Sequence, residues 1–146
     1  MPKWAILVTV GGVLALAIIT LLRSWPVINV VETGRTPEYP DVQPSHYRAH
    51  KDRVVHAALR TVKALPRWAM VSSRPGEGEI RVEASTRLLR FVDDVVIRIE
   101  EQAGVTVVNV RSASRVGRGD FGQNARNVRA LFSELDHQLE SAGTRP

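Results

Sequence analysis

Residues 111–124, around which the rest of the chain is arranged, read Arg111-Ser112-Ala113-Ser114-Arg115-Val116-Gly117-Arg118-Gly119-Asp120-Phe121-Gly122-Gln123-Asn124. The segment begins in a predicted strand, because apolar and polar side chains alternate up to Ala113. Glycines and arginines then indicate a turn. Asp120, with Gln123 three residues later, predicts a capping box at the start of a helix. The segment therefore joins a strand to a helix and is the first place to look for a site.

The longest predicted helix follows this turn and covers residues 121–141. A first helix is predicted over residues 46–65, with Ser45 as its cap and Pro66 as its end, because the residue before a proline avoids the helical conformation. Both helices have apolar residues spaced three or four apart, which places them on one face. These faces consist of Val54, Ala58, Val62 and Leu65 in the first helix, and of Phe121, Ala125, Val128, Phe132, Leu135 and Leu139 in the last.

Between these helices the sequence predicts four strands, over residues 67–73, 80–86, 95–99 and 105–113. The second strand is the clearest, because its apolar and polar side chains alternate with a period of two. The alternation shifts beyond Leu88, which predicts a β-bulge there. Residues 92–94 are predicted to form the next turn. Short turns between consecutive strands predict an antiparallel meander.

The elements together predict an α+β fold over residues 46–142. We expect a two-layer sandwich, with two helices on one face of a four-stranded antiparallel meander. One N-terminal transmembrane helix precedes this domain. Residues 24–45 contain four prolines and predict an extended, proline-rich linker between the helix and the domain.

Residues 1–23 are predicted to be a transmembrane anchor. Trp4 to Leu22 is an uncharged run of 19 residues, and as a helix it spans about 28 Å, close to the hydrocarbon thickness of a bilayer. The alternative is a cleaved signal peptide, because Ala15-Leu16-Ala17 has the small-x-small form of a cleavage site. The anchor predicts a single-pass protein of the bacterial inner (cytoplasmic) membrane with a periplasmic, extracytoplasmic domain, since Lys3 favours a cytoplasmic N-terminus.

The composition excludes several classes of function. The net charge is +5, and arginine supplies 17 of the 20 basic residues. These are dispersed among acidic residues, so no nucleic-acid partner is predicted. Cysteine is absent, which excludes thiol chemistry. The histidines lack metal-ligand spacing and no nucleotide or hydrolase motif is present, so we expect neither a metal nor a cofactor and find no support for an enzyme.

Three groups of polar residues are candidates for a site. The turn offers arginines and a helix start, which favour an anion, although Asp120 occupies the cap and is a possible partner for Arg115. The adjacent acids Asp93 and Asp94 are expected in a turn, paired with Arg90 or Arg98. Charged residues on the open face of the sheet are solvated or bind a partner. The anion or partner-binding candidates are Arg90, Asp93, Asp94, Arg98, Arg111, Ser112, Ser114, Arg115, Arg118, Asp120 and Asn124.

The chain resembles a known family from about Ile28 to Leu139. The similar strings are Leu88-Leu89-Arg90-Phe91-Val92-Asp93-Asp94-Val95-Val96-Ile97-Arg98, then Arg111 to Gly117, then Asp120 to Asn124. The Ile28 to Pro44 segment, with Thr36-Pro37, is similar to the lead-in of that family. The family is domain of unknown function 1499. The resemblance implies a bacterial or plastid protein, often with a leading membrane or signal segment, and it implies no catalytic residues.

Three functional hypotheses follow. The first is a membrane-anchored, non-catalytic accessory domain that binds a partner protein at the membrane surface, with residues 4–22 in the membrane. The second is a module that binds an anion or lipid headgroup at the Arg115–Arg118 turn. The third is a hydrolase of unknown type, which requires a deep pocket containing a base.

Overall fold

The computed structural model describes residues 3–24 and 26–143, and these form an α+β fold with one antiparallel sheet and three helices. The predicted class is therefore confirmed, with an apolar helix leading the chain. In chain order the elements are α1 (Lys3–Arg23), β1 (Val30–Glu32), β2 (Ser45–Tyr47), α2 (Lys51–Ala64), β3 (Trp68–Arg74), β4 (Glu79–Ser85), β5 (Val92–Gln102), β6 (Val105–Ser114) and α3 (Gln123–Gly143).

The sheet contains the predicted meander and two further strands. Strands β3 to β6 pair in chain order, all antiparallel. Strands β1 and β2 both pair with the outer edge of β6, so the sheet has six strands in the order β1-β6-β5-β4-β3, with β2 beside β6. The prediction of four strands was wrong because it assigned the strands before α2 to a linker.

Part of the predicted linker belongs to the folded domain. Val31 pairs with Ser112 and is fully buried, and Val42 is buried too. The Thr33 hydroxyl accepts a hydrogen bond from the Val110 backbone at 3.1 Å. The prolines of this segment lie outside β1 and β2, where the missing N–H breaks no sheet hydrogen bond. The prolines therefore indicate turns next to very short strands and not an extended linker.

The start of α2 also differs from the prediction. Ser45 pairs with Val108 in the sheet and does not cap a helix. After β2, the chain stays in contact with β6, where the Thr106 hydroxyl donates to the Ala49 carbonyl at 2.6 Å. The helix begins only at Lys51. Its end at Ala64, just before Leu65 and Pro66, agrees with the proline signal.

The segment between β4 and β5 is a loop rather than a bulged strand. Strand β4 ends at Ser85, and β5 begins at Val92, inside the predicted turn. The shifted alternation beyond Leu88 reflects loop residues whose side chains point outward. The register irregularity lies instead in β3, between Met70 and Ser72. The turn prediction for residues 92–94 was wrong because β5 is longer than its apolar residues indicate.

The core lies between the sheet and the two helices of the domain. Helices α2 and α3 contact each other and the sheet, so both cover the same face. The inward side chains of the strands are Ile80, Val82, Val95, Ile97, Ile99, Val108 and Val110, and the helices contribute Val54, Val62, Val128, Leu131 and Leu135. Each such aliphatic side chain contributes about 1.5–3 kcal/mol on full burial.

Helix α1 stands outside this core. None of its residues is buried, whereas the core cluster draws on residues from 28 onward. An 18-residue window of this helix has a mean hydropathy of 2.7, and none of that window is buried. Its length and composition suit a membrane span or a signal sequence equally.

Candidate functional site

The loop between β6 and α3 supplies the predicted cap of the last helix, Asp120, but the predicted contact from Gln123 is replaced by another. The Asp120 carboxylate accepts hydrogen bonds from the backbone N–H groups of Gly122, at 2.9 Å, and Asn124, at 2.6 Å. Asp120 therefore caps α3. A capping box also requires the Gln123 side chain to bind the backbone N–H of Asp120. That part of the prediction was wrong, because the Gln123 amide donates to Asn127 instead. The Asp120 backbone N–H donates to the Ile28 carbonyl at 3.0 Å.

Arg115 is held by two carboxylates on the outer face of the sheet. Its guanidinium donates to both oxygens of Asp94, at 3.0 and 2.7 Å, and to Glu83. The hydrogen bond from Arg115 lowers the pKa of Asp94 below its ordinary value. The bonds from Asp94 and Glu83 raise the pKa of Arg115. Arg115 is therefore satisfied internally and does not pair with Asp120.

The other candidate arginines differ in their partners. Arg98 lies 3.6 Å from Glu79, which also binds Arg74 and Arg81. Arg81 and Arg74 lower the pKa of Glu79, chiefly through the hydrogen bond from Arg81. Arg90 and Arg118 are exposed, and neither forms an ion pair with any residue that the structure describes. Arg111 lies across the ladder from Val96 and acts on Asp94 through its charge.

Asp93 and Asp94 lie in β5 and point to opposite faces of the sheet. The prediction that both lie in a turn and pair with Arg90 or Arg98 was therefore wrong. Asp93 is only 2% exposed. Its carboxylate accepts hydrogen bonds from the Ser114 hydroxyl at 2.7 Å and the Asn127 amide at 2.8 Å. A buried carboxylate requires such donors, because burial without them is costly.

These contacts belong to a closed polar cluster between the sheet and α3. The Ser112 hydroxyl donates to Asn124 at 2.6 Å and accepts from Asn127 at 3.1 Å. The Asn124 amide donates to Ser114 at 2.8 Å and to the Asn29 carbonyl at 3.0 Å. Both serines were predicted as donors to an external anion; instead they bind partners inside the protein. We call Asp93, Ser112, Ser114, Asn124 and Asn127 the polar cluster.

Two members of the polar cluster, Asp93 and Ser114, line a small cavity of about 150 Å³. Asp93, Ser114 and Gln123 contribute polar atoms, and Phe91, Val116 and Phe121 are among its apolar lining. Such a volume suits a small ligand group at most. The cavity brings together Asp93, Ser114 and Asp120 from the predicted set, whereas Arg115 and Arg98 lie on the other face of the sheet.

Asn127, a member of the polar cluster, and Gln123, which lines the cavity, were not among the predicted candidates. Asn127 lies on the buried face of α3, next to the predicted apolar position Val128. A polar residue adjoining an apolar stripe is the one signal that pointed to a buried network. In the part of the chain that the structure describes, no group of three His, Cys, Asp or Glu side chains is arranged to hold a metal ion.

The fold and this cluster define an α+β domain with a closed polar network beneath two exposed loops. The chain belongs to the family described as "Protein of unknown function (DUF1499)", whose model matches residues 20–135. No curated protein matches the chain.

Two solved structures resemble the chain only distantly. The crystal structure of TTHA0849 from Thermus thermophilus shares 11% identity at a TM-score of 0.43, covering 79% of this chain and 99% of that one. The crystal structure of Ara h 8.0201 shares 11% identity at a TM-score of 0.40, covering 77% and 97%.

Proposed function

We propose that the chain is a membrane-anchored, non-catalytic accessory domain that binds a partner protein at the membrane surface. Helix α1 supports the anchor, because it carries no charge between Lys3 and Arg23 and none of its residues is buried. The proposed setting is a bacterial inner membrane, with the domain on the extracytoplasmic side. The partner-binding surface in this proposal is the open edge of β3.

The observation that carries the proposed surface is the exposure of β3. This strand ends the sheet, and among the described residues it pairs with β4 alone. Trp68 to Ser73 includes no charged residue and no proline, which are two of the features that protect an edge strand from pairing. Val71 lies at the register shift and is 58% exposed. An uncharged open edge favours the addition of a strand from another protein.

The test uses the absence of cysteine in the natural sequence. We would introduce Ser72→Cys on the β3 edge into the full chain and cross-link it in native membranes. The proposal predicts a discrete adduct with another protein, and predicts that adding Val71→Lys removes it. A matched Ser133→Cys variant, on the exposed side of α3, should give no adduct. Recovery of the uncross-linked chain alone at every expression level would overturn the proposal.

A second candidate function is binding of an anion or lipid headgroup by the Arg115–Arg118 turn. Arg118 favours it, because this side chain is exposed and has no ion-pair partner among the described residues. Arg115 is a weaker candidate for binding an anion, because its guanidinium is already paired with Glu83 and Asp94. Calorimetric titration with glycerol phosphate should give binding that Arg118→Ala removes without a change in thermal stability. Equal binding by wild type and Arg118→Ala would exclude the turn.

A further inference from the structure

We infer that the end of the domain nearest α1 inserts apolar side chains into the interface of the same bilayer that α1 crosses. This inference rests on the membrane anchoring proposed above and adds a second, lipid-binding surface. Two loops form it, residues 86–91 between β4 and β5 and residues 115–122 between β6 and α3. We call this surface the loop end.

Exposed apolar side chains concentrate at the loop end. Outside α1, the described residues include eight large apolar side chains that are exposed, and five of them lie in these two loops. Their exposed fractions range from 48% to 90%. Contiguous exposed apolar surface of this kind marks an interaction site. The five residues are Leu88, Leu89, Phe91, Val116 and Phe121.

The two loops adjoin each other and form one surface. The Arg115 backbone N–H, at the start of one loop, donates to the Val92 carbonyl, just after the other, at 3.2 Å. Both loops also line the same cavity, with Phe91 on one side and Val116 and Phe121 on the other. Insertion of either loop into a membrane interface therefore brings the other close to it.

The chain itself ties the loop end to the bilayer. Four residues, 24–27, separate the end of α1 at Arg23 from Ile28. The Ile28 carbonyl accepts a hydrogen bond from the Asp120 backbone N–H at 3.0 Å, within the second loop. A fully extended chain of five steps covers about 17 Å. The loop end must therefore lie near the membrane surface, whatever the angle between α1 and the domain.

The charges of the loop end suit a lipid surface. Arg87, Arg90 and Arg118 are exposed, and none forms an ion pair with residues 3–24 or 26–143. The two loops contain one acidic residue, Asp120, and its carboxylate caps α3. Unpaired arginines beside apolar tips match the anionic headgroups above an acyl region. Lipid is favoured over a protein partner because α1 fixes where the bilayer is.

Phe121 offers a variant that separates insertion from folding. Its backbone has φ 50°, a conformation that glycine adopts without strain. Its ring is 59% exposed, so little packing is lost on removal. Phe121→Gly should therefore leave the urea midpoint of unfolding equal or higher while it removes an inserted ring. A large loss of stability would make this variant uninformative on insertion, and Leu88→Ser with Leu89→Ser then replaces it.

The test measures depth in the full chain, reconstituted in vesicles of phosphatidylcholine and phosphatidylglycerol. Single spin labels at Leu88→Cys and Val116→Cys are compared with one at Ser133→Cys. We expect the ratio of oxygen to nickel-chelate accessibility to be several-fold higher at the two loop positions. Phe121→Gly should lower that ratio at Leu88→Cys. Replacing Arg87, Arg90 or Arg118 with Gln should lower the ratio of membrane-inserted to non-inserted loop ends about fivefold for each arginine.

A label at Leu14→Cys, in the middle of α1, separates the two proposals. A water-like value there would overturn the membrane anchoring itself. A lipid-like value at Leu14→Cys with water-like values at Leu88→Cys and Val116→Cys would overturn the insertion alone. Loop labels shielded from both oxygen and the nickel chelate would show that a protein covers the loop end, and would also overturn it.

Discussion

The two ends of the sheet carry connections of opposite character. At the far end, β3 joins β4 through residues 75–78 and β5 joins β6 through residues 103–104, and no large apolar side chain of the described residues is exposed in these turns. At the loop end, residues 86–91 and 115–122 are longer and carry five such side chains. The strands of one antiparallel meander can therefore be joined by short turns that expose no large apolar side chain. The apolar loops are not a requirement of the fold, which is why we assign them a function.

The largest expected effect lies at the far end, at Gly78. Its φ is 73°, and a Cβ atom there would lie 2.1 Å from the Ile99 carbonyl oxygen. The clash is with backbone, so Gly78→Ala should cost about 4 kcal/mol in the free energy of unfolding. Gly76→Ala, in the same turn but with no atom within 4 Å, should change it by less than about 0.5 kcal/mol. Urea unfolding measures both, and equal costs would contradict the close packing of the turn.

The next largest effect is expected under the loop end, at Asn127. Its amide donates to both Asp93 and Ser112. Asn127→Ala leaves a buried carboxylate short of a donor, and should cost about 2–3 kcal/mol in the free energy of unfolding. Asn109→Ala is the control, since that amide oxygen makes only a 3.4 Å contact with Thr33 among the bonds described, and we expect a cost below about 1 kcal/mol. A small cost at Asn127 would mean that the polar cluster does not hold the loop end.

The two-residue turn at the far end predicts a gain. Ala103 and Gly104 have φ 50° and 79°, as a type I′ turn requires. Ala103→Asn creates the preferred Asn-Gly pair and should stabilise the domain by about 1 kcal/mol. Gly104→Ala is the opposite control: nothing lies within 4 Å of its Cβ position, yet it should destabilise because of the backbone conformation alone. Thermal melting of both variants checks the assignment.

The long, strongly patterned elements could be predicted from the sequence. The alternation from Ile80 to Ala84 and the spacing from Ala125 to Leu139 each describe one buried face of one element, so local information is sufficient. Strands β1 and β2 could not be predicted in this way, because each has three residues. Their stability comes from pairing with β6, which lies more than 50 residues further along the chain.

The contacts of the candidate residues could not be predicted from the sequence. Asp93 and Asp94 are adjacent, and only the register of β5 against β6 sends one inward to Ser114 and the other outward to Arg115. That register depends on long-range pairing. The partners of Asp93 on α3 depend on how the helix packs on the sheet. The sequence therefore identified a strand–turn–helix segment, and the structure was needed to show that Arg115 and the two serines already bind partners inside the protein.

The smallest expected effect tests the ion pair that distinguishes Arg115 from the unpaired arginines of the loop end. The pKa of Asp94 is lowered from 3.8 in the folded protein, first by the hydrogen bond from Arg115. A lowered pKa stabilises the fold at pH values above 3.8, and that contribution is lost as the pH falls through the folded pKa. Because the pair is exposed, Asp94→Asn should cost only about 0.5 kcal/mol at neutral pH.

The cost of Asp94→Asn should disappear in acid, where wild type also has a protonated Asp94. Urea unfolding of both proteins at neutral pH and at a pH below the lowered pKa of folded Asp94 measures this difference. Glu100→Gln is the matched control, because its carboxylate accepts a hydrogen bond from the Gln102 amide at 3.4 Å and has no ion pair with the described residues. A cost for Asp94→Asn that is equal at both pH values would show that Arg115 is not held by charge. Arg115 would then be available, like Arg118, to bind lipid headgroups at the loop end.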